Sequence, residues 1–210
     1  MFPSKRGEDM YQNSKHPCTY TILTSDPPAR LWCYSAKKLQ EDLNRTCAGQ
    51  TLQAAFLSYP EYRYHAQPEK NVMNLTEFGG ELCLVFEQAA IFLRMHAEGM
   101  VEYQITGIQQ LHMQEVVDFL PETKQIQEKC YHNLKDVFEL HYEGQKLRYV
   151  KVTATNTWSF RIEGFEDSLA QLAANHCDLP CSIHFRLGSG LEMIFSGDSL
   201  EYSWLEICRP

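Results

Sequence analysis

Residues 81–106 read ELCLVFEQAAIFLRMHAEGMVEYQIT. The first seven, ELCLVFE, are apolar on both faces, as expected of a strand with neighbours on either side. After Gln88 the period is two: Ile91, Leu93 and Met95 alternate with Phe92, Arg94 and His96. Glu98-Gly99 then turns the chain into MVEYQIT, where Val101, Tyr103 and Ile105 share one face. The stretch is a three-stranded meander, and it sets the class: an α+β fold, predominantly antiparallel β-meanders with a few packing helices.

Working outward, TYTILT (19–24) and LWCY (31–34) are short strands separated by SDPPA, which cannot continue a ladder. Ser35 is an N-cap for a helix over 36–47, with Leu39 and Leu43 one turn apart on its buried face. TLQAAFLS (51–58) reads as a further helical turn or two. SYPEYRYHAQPEKN (58–71) reads as an exposed loop. Residues 109–135 are mainly helical in composition, split by Pro121.

Beyond them DVFELHY and KLRYVKV flank Glu143-Gly144, a two-residue hairpin signal. TWSFRI (157–162) sets Trp158, Phe160 and Ile162 on one side, and a short helix is expected at 166–175. The chain ends in a second meander: CSIHFRL, GLEMIF after Gly188-Ser189-Gly190, and SLEYSWLEI after Gly197-Asp198.

The two meanders are alike. Phe86 and Phe185 are each followed sixteen residues later by a Glu-Tyr pair, Glu102-Tyr103 and Glu201-Tyr202, and each meander is preceded by a helix and an aromatic-rich strand. Two degenerate strand–helix–three-strand repeats are one reading of this, and convergence of meanders is the other. The expected organisation is a flexible N-terminal arm at 1–17, an α+β subdomain at 18–106, a helical connector at 107–132 and a second α+β subdomain at 133–210.

Composition narrows the function classes. Of 210 residues, 44% are hydrophobic and 22% charged, an ordinary globular balance. Lys+Arg 19 against Asp+Glu 27 gives a net charge of −8, which repels phosphate backbones and argues against nucleic acid. No apolar run approaches the roughly 18 residues of a membrane span. The N-terminal residues MFPSKRGEDMYQNSKHP lack the apolar segment of a secretory signal, so a cytoplasmic location is expected. Of eight cysteines, several sit inside apolar patterns such as ELCLVF and LWCYS, where a reduced thiol behaves as a small hydrophobe.

Four places invite chemistry. Residues 175–184, NHCDLPCSIH, gather two histidines and two cysteines in ten residues. Zinc needs three or four converging ligands. His176 and Cys177 close a helix, however, Asp178-Leu179-Pro180 turns, and Cys181 opens a strand whose inward face continues to Ile183 and Phe185. His184, an odd number of residues from Cys181, points to the opposite face of a regular strand. The stretch reads as helix end and strand start, with no metal and no cofactor. Cys130-Tyr131-His132 pairs a thiol with a base only in sequence, and such a pair needs adjacency in space. Glu102 and Glu201, at matched places, are candidates for a ligand or metal site, or else lie on the solvated face of amphipathic strands.

Paired strand–helix–three-strand modules resemble, in element order, the vicinal-oxygen-chelate superfamily. That resemblance implies a metal or small-molecule site between modules, with ligands from the first and last strands of each. Those strands here offer Cys33, Glu102, Ser159, Arg161 and Glu201, with no histidine among them. There is no Gly-rich phosphate loop, G-x-S-x-G, H-E-x-x-H or C-x-x-C. Gly188-Ser189-Gly190 reads as a hairpin turn.

The fourth place is the aromatic loop. Tyr59, Tyr62 and Tyr64 bracket Arg63, residue types enriched where proteins meet. The leading expectation is therefore a non-catalytic protein-binding module, such as an immunity-type inhibitor or adaptor, with these four residues contacting another protein. The acidic charge favours a basic partner. The alternative is a metal- or small-molecule-dependent enzyme or ligand binder with its site between the two modules.

Overall fold

The computed structural model describes residues 20–25, 30–33, 35–58, 60–64, 72–78, 80–95, 101–115, 130–135, 142–155, 178–197 and 203–208. Its elements begin with β1 (Tyr20–Thr24), β2 (Leu31–Cys33), α1 (Ala36–Cys47), β3 (Thr51–Ser58), β4 (Pro60–Tyr64) and β5 (Val72–Phe78). Then come β6 (Leu82–Phe86), β7 (Ala89–Met95), β8 (Val101–Gly107), β9 (Leu111–Glu115) and β10 (Cys130–Asn133). The last are β11 (Gln145–Thr155), β12 (Leu179–Leu187), β13 (Glu192–Gly197) and β14 (Ser203–Cys208). Antiparallel sheet dominates, with α1 the one α-helix of any length among the described residues.

The meander of 81–106 forms as its periodicity requires. β6 lies between β3 and β7 and is buried on both faces. From it the sheet runs β2-β8-β7-β6-β3-β11-β12-β13-β14-β5-β4, every neighbour antiparallel. β3 is a fork. Its first residues, Thr51 and Leu52, pair with β11, while Phe56, Leu57 and Ser58 pair with β10, which leads to β1 and β9.

Because β3 diverges, the strands divide into layers. Leu82, Leu84, Ile91, Leu93 and Met95 of β6–β7 pack with Ile183, Phe185, Met193, Phe195, Leu205 and Ile207 of β12–β14 in one core. Close approach between these layers is specified at Gly197, where a Cβ would meet that of Met95 at 2.8 Å. The other face of β6–β7, with Cys83, Val85, Ala90 and Phe92, forms a second core under Ile22 and Tyr131 of β1 and β10. The doubly apolar reading of ELCLVFE follows from this: each face serves a different core.

Three expectations are corrected. TLQAAFLS is a strand, β3, and not a helix. Its Ala, Leu and Gln favour helix locally, but pairing on both edges overrides that preference. A turn across Cys47–Gln50, with Gly49 at φ +85°, delivers it directly from α1 into the sheet. The supposed loop 58–71 contains β4, paired with β5, which itself went unread. The helical reading of 109–135 and of the 107–132 connector is replaced, within the described residues, by β9, β10 and a 3-10 turn at 108–110. Residues 1–17, 116–129, 157–162 and 166–175 lie outside the described residues, so the helix expected at 166–175 and the first parts of the second repeat lie there too. β4 and β5, from the first half of the chain, extend the sheet of the second half beyond β14.

The helix was read to the residue, and its role lies in what its polar side chains do. Ser35 caps it, accepting from the Lys38 amide at 3.3 Å. Asp178 completes the cap: its carbonyl accepts from the Ala36 amide (2.7 Å), and its carboxylate from the Lys37 amide (3.2 Å) and the Ser35 hydroxyl (3.0 Å). Three of the four unpartnered amides of a helix start are thus satisfied, and a negative charge sits at the positive end of the dipole.

One turn further, α1 faces the edge of β11 that β3 has left. Asn44 donates to the Val150 carbonyl at 2.6 Å and accepts from the Val150 amide at 2.8 Å, while Gln40 accepts from the Val152 amide at 2.8 Å. Ala36, Leu39, Leu43 and Cys47 meanwhile enter the core. On the side towards β8, Asp42 accepts from the Tyr103 hydroxyl at 3.0 Å. Burial, and then that carboxylate, push the Tyr103 phenol up to about 12.

Asn44→Ala strips the backbone of Val150 of both partners and is expected to cost about 2 kcal/mol, read by urea denaturation. Arg45→Ala removes only an exposed contact to Asp42 and is expected to cost under about 0.5 kcal/mol. Equal losses for the two would remove the pairing role of Asn44.

Candidate functional site

The stretch NHCDLPCSIH resolves into two jobs. Asp178 caps α1, and the rest of the described part opens β12. Within β12 the alternation assumed from sequence does not hold. Thr153 of β11 faces Ser182, and Ala154 faces Pro180, so Cys181 is an extra residue, a β-bulge. Counting across it, Cys181, Ser182 and His184 reach the same side, where sequence reasoning had set Cys181 and His184 on opposite faces.

A continuous polar chain runs along the outward side of β11–β13, and the bulge adds Cys181 to it. Thr153 Oγ1 lies 2.9 Å from Cys181 Sγ and 2.6 Å from Ser182 Oγ. Ser182 Oγ lies 2.9 Å from His184 Nε2, and His184 Nδ1 lies 3.1 Å from Glu192 Oε1. Arg186 donates to the other carboxylate oxygen, Oε2, at 3.2 Å. The inward side of the same strands carries Ile183, Phe185, Leu187, Met193 and Phe195, all buried, so the site rests on a rigid apolar floor.

The direction of each bond follows from the inventory of donors. A carboxylate accepts only, so the imidazole nitrogen facing Glu192, Nδ1, carries the proton. In a neutral imidazole Nε2 then accepts, and the Ser182 hydroxyl must donate to it. Ser182 oxygen is left to accept from Thr153, and Thr153 to accept from the Cys181 thiol. With the imidazole neutral and Glu192 ionised, this order uses each thiol and hydroxyl hydrogen once.

A second ionic group lies elsewhere. Glu81, at the start of β6 and 2% exposed, holds the half-exposed Arg30 at 3.2 Å, and the same guanidinium nitrogen holds Glu102 at 3.2 Å. The Tyr131 hydroxyl donates to the other oxygen of Glu81. Burial works against the charge on Arg30, but Glu81 and Glu102 outweigh it and hold the guanidinium above its ordinary value. Burial, and then the charge and hydrogen bond of Glu81, push the Tyr131 phenol up, so it stays protonated and donates. This network joins the entry of β2 to β6, β8 and β10; its chemistry is that of a structural clasp.

Of the residues singled out from sequence, Glu102 sits on β8 in this clasp, and Glu201 lies outside the described residues. Tyr62, Arg63 and Tyr64 are on β4, the last strand of the sheet path, and Tyr59 lies outside the described residues. Cys130, Tyr131 and His132 lie on β10, and Tyr131 is spent on Glu81. Cys33, Cys47, Cys83, Cys181 and Cys208 are free thiols. Burial pushes Cys33, Cys83 and Cys208 up, and Cys47 up to about 12, the behaviour of packing residues and not of nucleophiles. Among the described residues no three His, Cys, Asp or Glu side chains are placed to hold a metal ion.

Sequence reasoning missed Thr153, Ser182, Arg186 and Glu192. The available signals were the period-two run Ser182, His184, Arg186 and the presence of Pro180 inside a strand, which itself marks a bulge or an edge. Compared with protein-family models, with curated proteins and with solved structures, the chain matches none of them.

Arg30→Met removes the cation that bridges Glu81 and Glu102 and is expected to destabilise the fold by about 2 kcal/mol. Glu102→Gln, with Arg30 and Glu81 still paired, is expected to cost less than half as much by the same denaturation measurement. A larger loss for Glu102→Gln would place the clasp at Glu102.

Proposed function

We propose that the chain is a protein-binding module, of the adaptor or immunity-type inhibitor kind, that acts in the cytoplasm on a partner carrying positive charge. The observation that supports this reading most is the place of β4. Its Tyr62-Arg63-Tyr64 lies on the terminal strand of the sheet path, with β5 its neighbour on one edge among the described residues. A terminal strand presents backbone donors and acceptors to an extended segment of another protein, and tyrosine and arginine are the side chains that most often anchor such contacts. The net charge of −8 adds long-range attraction for a basic partner.

We also read β6–β8 and β12–β14 as two degenerate copies of one unit, on the strength of the matched Phe86 and Phe185, both buried, and the matched Glu-Tyr pairs. A metal or ligand site between these units, built on Glu102 and Glu201, has less support, because Glu102 is committed to Arg30.

The test is capture from lysate of the source cells, using the whole chain as bait and quantitative mass spectrometry. Tyr62→Ala/Arg63→Ala is expected to lower recovery of the bound protein by at least about tenfold while melting is unchanged. Recovery equal to that of the unmodified chain overturns the β4 assignment.

A further inference from the structure

We propose that Ser182, His184 and Glu192 form a nucleophilic site in which Ser182 accepts an acyl group from small carboxylic esters. This inference does not depend on the β4 edge: it rests on the polar chain over β11–β13, and either reading can fail alone.

A serine hydroxyl is a weak nucleophile until a base lies within hydrogen-bond reach and a third group orients that base. Both requirements are met in one line: Ser182 Oγ to His184 Nε2 at 2.9 Å, and His184 Nδ1 to Glu192 Oε1 at 3.1 Å. Arg186, bonded to the second oxygen of Glu192, fixes the carboxylate, and the strand pair Arg186–Glu192 fixes the register between β12 and β13. Regular alternation sets Ser182 and His184 on one face, and the bulge at Cys181 brings the thiol to the same face beside Thr153.

The reaction follows from the bonds. Ser182 Oγ attacks the ester carbonyl carbon as its proton passes to His184 Nε2, and the imidazolium is held by Glu192. The carbon–oxygen bond to the leaving alcohol breaks, and that oxygen takes the proton from Nε2. Water, giving a proton to Nε2, then attacks the acyl carbon; the bond to Ser182 breaks, the serine recovers its proton, and the free acid leaves.

Two features set the substrate class. Ile194 lies opposite His184 in register, and Trp204 lies one strand beyond Ser196, the residue across from Ser182, so two apolar side chains stand on this face among Ser196 and Glu206 and offer contact to a small acyl or aryl group. Main-chain amides of a sheet are engaged in its ladder, which leaves stabilisation of an oxyanion to side chains and confines the site to esters with good leaving groups, such as aryl esters.

The whole chain is treated with a fluorophosphonate probe, the modified residue is located by peptide mass spectrometry, and labelling rates are compared with release of nitrophenol from p-nitrophenyl acetate. The expected result is a label on Ser182, abolished in Ser182→Ala and slowed by about a hundredfold in His184→Asn. Ser196→Ala, on the same face and outside the chain of hydrogen bonds, keeps the unmodified rate. Locating the label in the unmodified protein needs no variant to fold, and melting curves qualify each variant. No label, a label on another residue, or a rate indifferent to His184→Asn overturns the proposal.

Discussion

The open edge of β11 is the constraint around which the rest of the molecule is arranged. β3 pairs with β11 over only two residues before it turns away to β10. From Leu147 onward the departing edge of β11 would face an apolar interior with unpaired amides and carbonyls, and each one left so costs about 1–3 kcal/mol. The chain meets this with the linker after α1 and the helix itself. Gln50 and Gly49 bond Leu147, Asn44 bonds both groups of Val150, and Gln40 bonds Val152. The helix thereby acts as a substitute strand, with side-chain amides in place of backbone ones. Its own apolar stripe fills the wedge between the layers that the fork creates, so the same twelve residues solve the polar and the apolar problem together.

That arrangement also fixes where β12 starts. Asp178 is held at the beginning of α1 by three hydrogen bonds, and β12 leaves from it at Leu179. β12 must then run beside β11 with Ile183, Phe185 and Leu187 inward. A start pinned at Asp178 and a register pinned by the core leave one residue too many, and Cys181 takes it up as the bulge. The arrival of Cys181 on the outward side, beside Thr153, Ser182 and His184, therefore follows from capping the helix, while those three share that face by the ordinary alternation of the ladder.

What was legible from sequence follows from range. The meander of 81–106, the last three strands and α1 with its Ser35 cap rest on periodicities of two and 3.6 and on a local hydrogen bond, all contained in a few neighbouring residues. β3 was not legible, because TLQAAFLS is strand only by virtue of β6, β10 and β11, which lie far away in the chain. β4, β5, β9 and β10 failed for the same reason, each being short and polar enough to depend on its partner. At the candidate site the residue types around His184 were visible, but the rule of alternation was applied through Pro180-Cys181, the one place where the strand breaks it. A side chain such as Asp178, which caps a helix 141 residues before it in sequence, carries no local sign of that duty.

Amide hydrogen exchange of the native protein at Val150 and Val152 tests the central claim most directly. These two amides lie on the edge of β11 that no described strand covers, and they point at Asn44 and Gln40. If α1 serves as the missing strand, both exchange as slowly as the Ile183 amide in the middle of the sheet. Exchange at the rate of an unprotected strand edge, with Ile183 still slow, would contradict it: the fork would then be open, and the helix only packed against it.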